Sequence, residues 1–199
     1  MLASPHSDAR PRGEARRDAL LDAVLQVVAE QGVDAVTHRR VAEAADLPLA
    51  STTYWFSSKQ HLLTAALERA AERDIARLRA FLAEATDATA DPLGLTVRAI
   101  LDPIEESAQA SRGWLLATYA LVLEGARRPA LRHVTTSWSE AYLDTLVPLL
   151  AAAGSRHPRS DAELLLAAAD GLLVDQLASG EDSDLAPRLR RLAVALVNA

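Results

Sequence analysis

The chain of 199 residues has no cysteine, which excludes a disulfide framework, a thiolate zinc site, an iron–sulfur cluster and a cysteine nucleophile. Aromatic residues are scarce at 4%, although half of the chain is hydrophobic. Ala and Leu supply most of the apolar surface, a composition that favours closely packed helices over a β-sandwich or barrel. No run of about 18 uncharged apolar residues occurs, because Asp170 and Asp175 interrupt even the greasiest stretch, Leu164 to Leu177. Residues 1–13, with Pro5 and Pro11, lack the apolar centre of a secretory signal and read as a disordered arm. A soluble, cytoplasmic, all-α protein is the expectation. A net charge of -6 argues against wholesale coating of nucleic acid, so any DNA binding rests on a local face.

Catalytic signatures are absent as well. Five scattered His, no glycine-rich phosphate loop and no His-Glu-x-x-His leave no reaction to propose, so neither an enzyme nor a bound cofactor is expected. The acidic Glu181 to Asp184 stretch lacks the glycine and distal glutamate of a calcium loop and suits a helix cap instead.

Apolar spacing and stop signals predict about nine helices. The first covers 16–31, ended by Gly32. A second short helix follows Thr37 as N-cap, with Val41, Ala42 and Ala45 on one side, and a third opens at Pro48 and runs to Trp55. Ser57 and Gln60 have the spacing of a capping box and start a long fourth helix reaching Glu84. Further helices are expected at 92–109, 113–127 and 129–153, with Pro103 and Pro148 kinking or breaking theirs. A second capping box at Ser160 and Glu163 precedes a helix ending at Gly180, and 184–198 forms the last.

The informative stretch is 37–59, Thr-His-Arg-Arg-Val-Ala-Glu-Ala-Ala-Asp-Leu-Pro-Leu-Ala-Ser-Thr-Thr-Tyr-Trp-Phe-Ser-Ser-Lys. Two short helices around a tight turn, the second rich in small hydroxylated residues, read as a helix-turn-helix whose second helix enters the major groove. Asp46 tolerates the left-handed backbone such a turn needs. Arg39 suits a bidentate guanine or a phosphate contact, and Lys59 sits at a helix start where a phosphate is held. Seven cationic against eight acidic side chains through Gln60 leave this segment without excess positive charge, so a few placed contacts must carry binding.

From Arg16 to Leu63 the chain resembles the TetR family of bacterial transcriptional regulators: Thr-x-Arg-x-aliphatic-Ala, the helix-turn-helix, an aromatic-x-Phe ending and Ser-Lys are all present. It departs from the family pattern at Asp46, Pro48 and Thr53. The resemblance implies an N-terminal three-helix DNA-binding domain at 14–60 and a helical effector-binding and dimerisation domain at 61–199. Residue by residue, it places Ala50, Ser51, Thr52 and Thr53 on the recognition helix. His38 and Arg39 would lie on the supporting helix, Tyr54, Trp55 and Lys59 at or near phosphates, and Phe56 in the core. It further implies a small-effector site in the helical domain and a homodimer formed largely by the last two long helices. Two recognition helices on successive major-groove turns call for a near-palindromic double-stranded operator, and a repressor released by a small-molecule effector is expected, with the fourth helix as the lever.

For the effector site the candidates are Trp114, Tyr119, Trp138 and Tyr142, with Arg112 and Glu124 flanking the apolar run and Arg98, Asp102 and His133 as polar anchors. For the dimer interface they are Leu164, Leu165, Ala168, Leu172 and Leu173 with Leu189, Leu192 and Leu196, where intervening small residues let helices approach. An effector-independent regulator or architectural protein is the competing reading.

Overall fold

A computed structural model describes residues 12–85, 91–110, 112–180 and 183–199, so the arm expected at 1–13 falls almost wholly outside it. The described residues form nine α-helices and no strand: α1 (Arg12–Gln31), α2 (His38–Ala44), α3 (Leu49–Trp55), α4 (Lys59–Glu84), α5 (Pro92–Ala110), α6 (Arg112–Glu124), α7 (Pro129–Ala152), α8 (Pro158–Ser179) and α9 (Ala186–Val197). The first helix begins at Arg12, four residues before its apolar spacing starts, because its opening turn carries only small and charged residues.

Local chemistry sets most boundaries. Thr37 caps α2 by accepting from the Arg40 amide at 3.2 Å. Asp46 adopts φ 52°, the left-handed turn, and the Leu47 amide closes it onto the Ala42 carbonyl at 2.9 Å. The fourth helix is capped one residue later than its sequence spacing predicts. Ser58 Oγ accepts from the His61 amide, and His61 Nδ1 accepts from the Ser57 amide, a reciprocal pair in which His61 replaces glutamine. The expected box at Ser160 and Glu163 is likewise displaced: α8 starts at Pro158, and Ser155 donates its hydroxyl to Asp161. Asp91 caps α5 through the Gly94 amide at 2.9 Å and pairs with Arg190 of α9. A side chain on Gly94 would collide with that carboxylate, its Cβ only 2.2 Å from Asp91 Oδ2. Neither Pro103 nor Pro148 breaks its helix. For Pro148 the carbonyl deprived of its partner belongs to Asp144, which is exposed and therefore open to water.

Two apolar cores result. The first joins Leu20, Leu21, Val24 and Val28 of α1 to Phe56 and to Leu62 through Ala71 of α4, and reaches Leu121 of α6 and Leu131 of α7. The second gathers Leu78 of α4, Ile100, Leu146, Leu165 and Leu189 from α4, α5, α7, α8 and α9. Trp114 and Trp138 pack against both. Beside the first core, α1 and α4 are also tied by ions. Arg69 reaches Asp18 at 2.6 Å and Asp22 at 3.2 Å, and Arg73 meets Asp22 at 2.7 Å. No described helix is long and apolar enough to cross a membrane.

Candidate DNA-contact surface and ligand cavity

The helix-turn-helix presents one exposed face. Arg39 lies on it, paired with Glu43 at 2.9 Å and with its side chain 82% exposed. Leu49, Ala50, Thr53 and Tyr54 of α3 are exposed beside it, Tyr54 at 79%, and Ser51 is half-buried. This surface offers a guanidinium, a phenol, hydroxyls and methyl groups, which suit phosphates and base edges. The Arg39–Glu43 pair is solvent-exposed and weak, so Arg39 can leave it at little cost.

Four residues expected at DNA are placed otherwise. Thr52 is fully buried and donates its hydroxyl to the Leu49 carbonyl at 2.8 Å, because it points into the α2–α3 packing as the i−4 neighbour of core Phe56. Trp55 is half-buried against the first core, with its ring edge-on to Tyr54 at 5.1 Å. The Lys59 ammonium donates to the Asp34 carbonyl at 2.9 Å, tying the loop after α1 to the start of α4. His38 is half-buried with Nδ1 sealed from solvent and without a hydrogen-bond partner.

The second feature is a cavity of about 130 Å³ bounded by α4, α5, α6, α7 and α8. Trp114, Tyr119, Trp138 and Tyr142 line it, as their residue types suggested, with Ile100 and Leu166 among its apolar walls. These four are half of the eight aromatic residues in the chain. Glu124, Arg98, Asp102 and His133 do not line it. Glu124 ends α6 held by Arg128 at 2.9 Å and Arg127 at 3.2 Å, and these two cations keep its carboxyl below the usual range. Arg98 lies over the Phe81 ring at 4.9 Å and pairs with Asp102, while His133 is exposed. The Arg112 side chain falls outside the described residues.

Two carboxylates that sequence reading did not single out line the cavity. Asp74 of α4 is 2% exposed, and its Oδ2 accepts from Tyr142 Oη at 2.7 Å and Trp138 Nε1 at 2.8 Å. Asp170 of α8, open to solvent on one side, accepts from Tyr119 Oη at 2.8 Å. A signal for Asp74 existed: it continues the apolar stripe Leu63, Leu67, Ala70, Ala71 and Leu78 of α4, where a carboxylate is out of place.

Burial pushes the Asp74 carboxyl upward, against the hydrogen bonds from Tyr142 and Trp138 and the charge of Arg77, which pull it down. The native state thus holds this proton more tightly than the unfolded chain does. Its contribution to stability is present below the ordinary value near 3.8 and is lost as pH rises through the raised one. Denaturant melts of wild type and Asp74→Asn should show the stability difference moving against the wild type from pH 4 upward. A difference independent of pH would contradict this.

The interface candidates on α8 and α9 divide in two. Leu165, Leu173 and Leu189 are buried in the second core of their own chain and are not available to a partner. Leu164 and Val174 are exposed at 51% and 46%, with Ala167 and Gly171 exposed between them on one stripe. Ala168 and Leu172 of α8 and Leu192 and Leu196 of α9 are half-buried against the second core.

Comparison with known proteins agrees with this architecture. Residues 20–66 match the family model described as "Bacterial regulatory proteins, tetR family", and residues 91–199 match "Tetracyclin repressor-like, C-terminal domain". The HTH-type transcriptional repressor KstR of Mycolicibacterium smegmatis is 44% identical over 72 residues, which span 36% of this chain and only about a third (35%) of that protein. The HTH-type transcriptional regulator BetI of Burkholderia thailandensis is 28% identical over 180 residues, 89% of each chain. Among solved structures, the multidrug binding protein EbrR complexed with imidazole aligns with a TM-score of 0.66 and 32% identity over 98% of this chain and 97% of its own. With both halves matched and more than half of the residues covered by the C-terminal model alone, the chain belongs to the TetR family of bacterial transcriptional regulators.

Proposed function

We propose that this protein is a ligand-responsive repressor that binds its operator through the Arg39, Ala50, Thr53 and Tyr54 surface and leaves it when a small molecule fills the cavity. The observation that carries this reading is the position of the cavity. It lies between the two cores, under Trp114 and Trp138, and is walled in part by α4, which begins directly behind the recognition helix. A ligand that binds better when α4 is tilted shifts the population toward that arrangement and away from the one that fits DNA. The EbrR complex, in which a multidrug binding protein holds imidazole, supports a small-molecule site in this fold. An effector-independent DNA-binding protein would leave the cavity without a role.

Regulators of this family act as dimers on DNA operators. In this chain the exposed stripe of Leu164, Ala167, Gly171 and Val174 on α8 is suited to the dimer contact, since small residues let two helices approach. Two recognition helices then reach major-groove segments about 34–36 Å apart.

A salt-series anisotropy titration against DNA from upstream of the gene, and against scrambled DNA of equal length, tests the reading. Two chains per operator and a specificity ratio of roughly a thousandfold or more are expected, with affinity falling steeply as salt rises. Equal weak binding to both DNAs would overturn it. In the same assay Arg39→Ala should weaken operator binding roughly tenfold with the folded state intact. Unchanged affinity would remove Arg39 from the contact surface.

A further inference from the structure

The cavity holds more unmet polarity than an apolar ligand could satisfy. Asp74 Oδ1 is sealed from solvent and has no hydrogen-bond partner, although Oδ2 of the same carboxylate has two. Thr118 Oγ1, on the α6 wall, is also buried without a partner. Among the described residues no Lys, Arg or His lines the cavity, whereas two carboxylates do. Each unmet buried group lowers stability, so a ligand that donates to Oδ1 recovers that loss.

From these residues we propose that the cavity binds a small single-ring organic cation carrying an N–H donor, an amidinium or a primary ammonium, anchored by an N–H···Oδ1 bond to Asp74. The charge of Asp74 sets the sign of the ligand, and its vacant Oδ1 sets the requirement for a donor. The indole and phenol rings provide apolar walls that also favour a cation over their faces. Thr118 Oγ1 supplies a second polar contact. The size follows from the volume: about 130 Å³ is close to the roughly 150 Å³ of an engineered cavity that takes benzene, which sets the scale at one ring. Cation binding also stabilises the ionised carboxylate, which burial otherwise disfavours. The inference rests on reading the cavity as the effector site, but it concerns the ligand's chemistry and can be tested without DNA.

Calorimetric titration of the full chain with four single-ring probes separates the requirements. Benzamidinium has charge and donors, benzamide has donors without charge, benzyltrimethylammonium has charge without a donor, and benzoate has the opposite charge. Benzamidinium should bind once per chain, at least tenfold tighter than benzamide or benzyltrimethylammonium, with benzoate weakest. Asp74→Asn should lower benzamidinium affinity at least tenfold while leaving benzamide within about threefold. If that variant melts early, Thr118→Val, with a several-fold loss for benzamidinium, serves in its place. Benzamide or benzoate binding as tightly as benzamidinium would overturn the proposal, and so would no benzamidinium binding at millimolar concentration. Repeating the titrations on the operator complex keeps the two readings apart. Benzamidinium that binds without releasing DNA supports the cation site and sinks the induction reading. Release by benzamide or benzoate alone keeps induction and overturns the cation site.

Discussion

Phe56→Ala is expected to lower the stability of the fold by about 3–5 kcal/mol and to abolish operator binding. Phe56 is 1% exposed and is the largest side chain fully enclosed by the first core. It is also the hinge residue of the DNA-contact half: its amide donates to the Thr52 carbonyl at 2.9 Å to end α3, and its backbone turns extended before α4 begins. Its ring sits edge-on to His61 at 5.3 Å, beneath the Arg17 guanidinium at 5.9 Å. Truncation therefore removes the transfer free energy of the ring and opens a cavity where α1, α3 and α4 meet. Phe56→Leu, which keeps most of the volume, should lose about 1 kcal/mol and retain DNA binding. Denaturant melts and anisotropy measure the two effects, and an alanine variant within 1 kcal/mol of wild type would show that the site collapses freely.

The second large effect concerns the ion cluster between α1 and α4. Asp18 and Asp22 lie one turn apart on α1 and would repel each other. Arg69, with its side chain only 13% exposed, binds both at once, and Arg73 binds Asp22 through two nitrogens at 2.7 and 3.1 Å. Arg69→Met keeps the apolar stem but takes away the guanidinium between two like charges, one of them only 18% exposed. A loss of about 2 kcal/mol is expected, less than for a fully buried pair because Asp22 is partly solvated. Lys at this position should recover under half of it, since one ammonium cannot bridge both carboxylates as the fork does. The gap between wild type and Arg69→Met should narrow as salt rises from 0.05 to about 1 M, where the screening length falls to about 3 Å. A gap unaffected by salt would assign the loss to packing.

How much of this was legible in the sequence depended on how local the signal was. The helix-turn-helix is encoded by neighbours in the chain: the Thr37 cap, the left-handed Asp46 and the Pro48 opening each act within four residues, and each lies where its chemistry predicts. The direction of the row Ser51, Thr52, Thr53 was harder to read, because three small hydroxylated residues carry no contrast between inside and outside. Only the spacing from Phe56 marks Thr52 as inward. The long α8 posed the same difficulty on a larger scale. Leu164, Leu165 and Leu166 are consecutive and equally apolar, so which faces its own core is decided by α7 and α9 rather than by the helix itself. The aromatic residues of the cavity were legible because so few exist. Asp74 and Asp170 were not, because a carboxylate announces burial only once its helix partners are known, and those are 64 to 68 residues away for Asp74 and 51 for Asp170.

The exposed face of α2 and α3 and the lining of the cavity have no residue in common. What the protein reads on DNA and what it reads in solution are thus inherited as separate texts, joined by α4 and by the two indoles shared between the cores. Under the function proposed above, substitutions among Ile100, Leu166 and Asp170 are expected to retune the chemical vocabulary of the sensor while its address on the genome stays fixed, and changes at Ala50 or Thr53 to move the address with the sensor intact. Such separability makes the scaffold easy to diversify, by selection or by design, one specificity at a time.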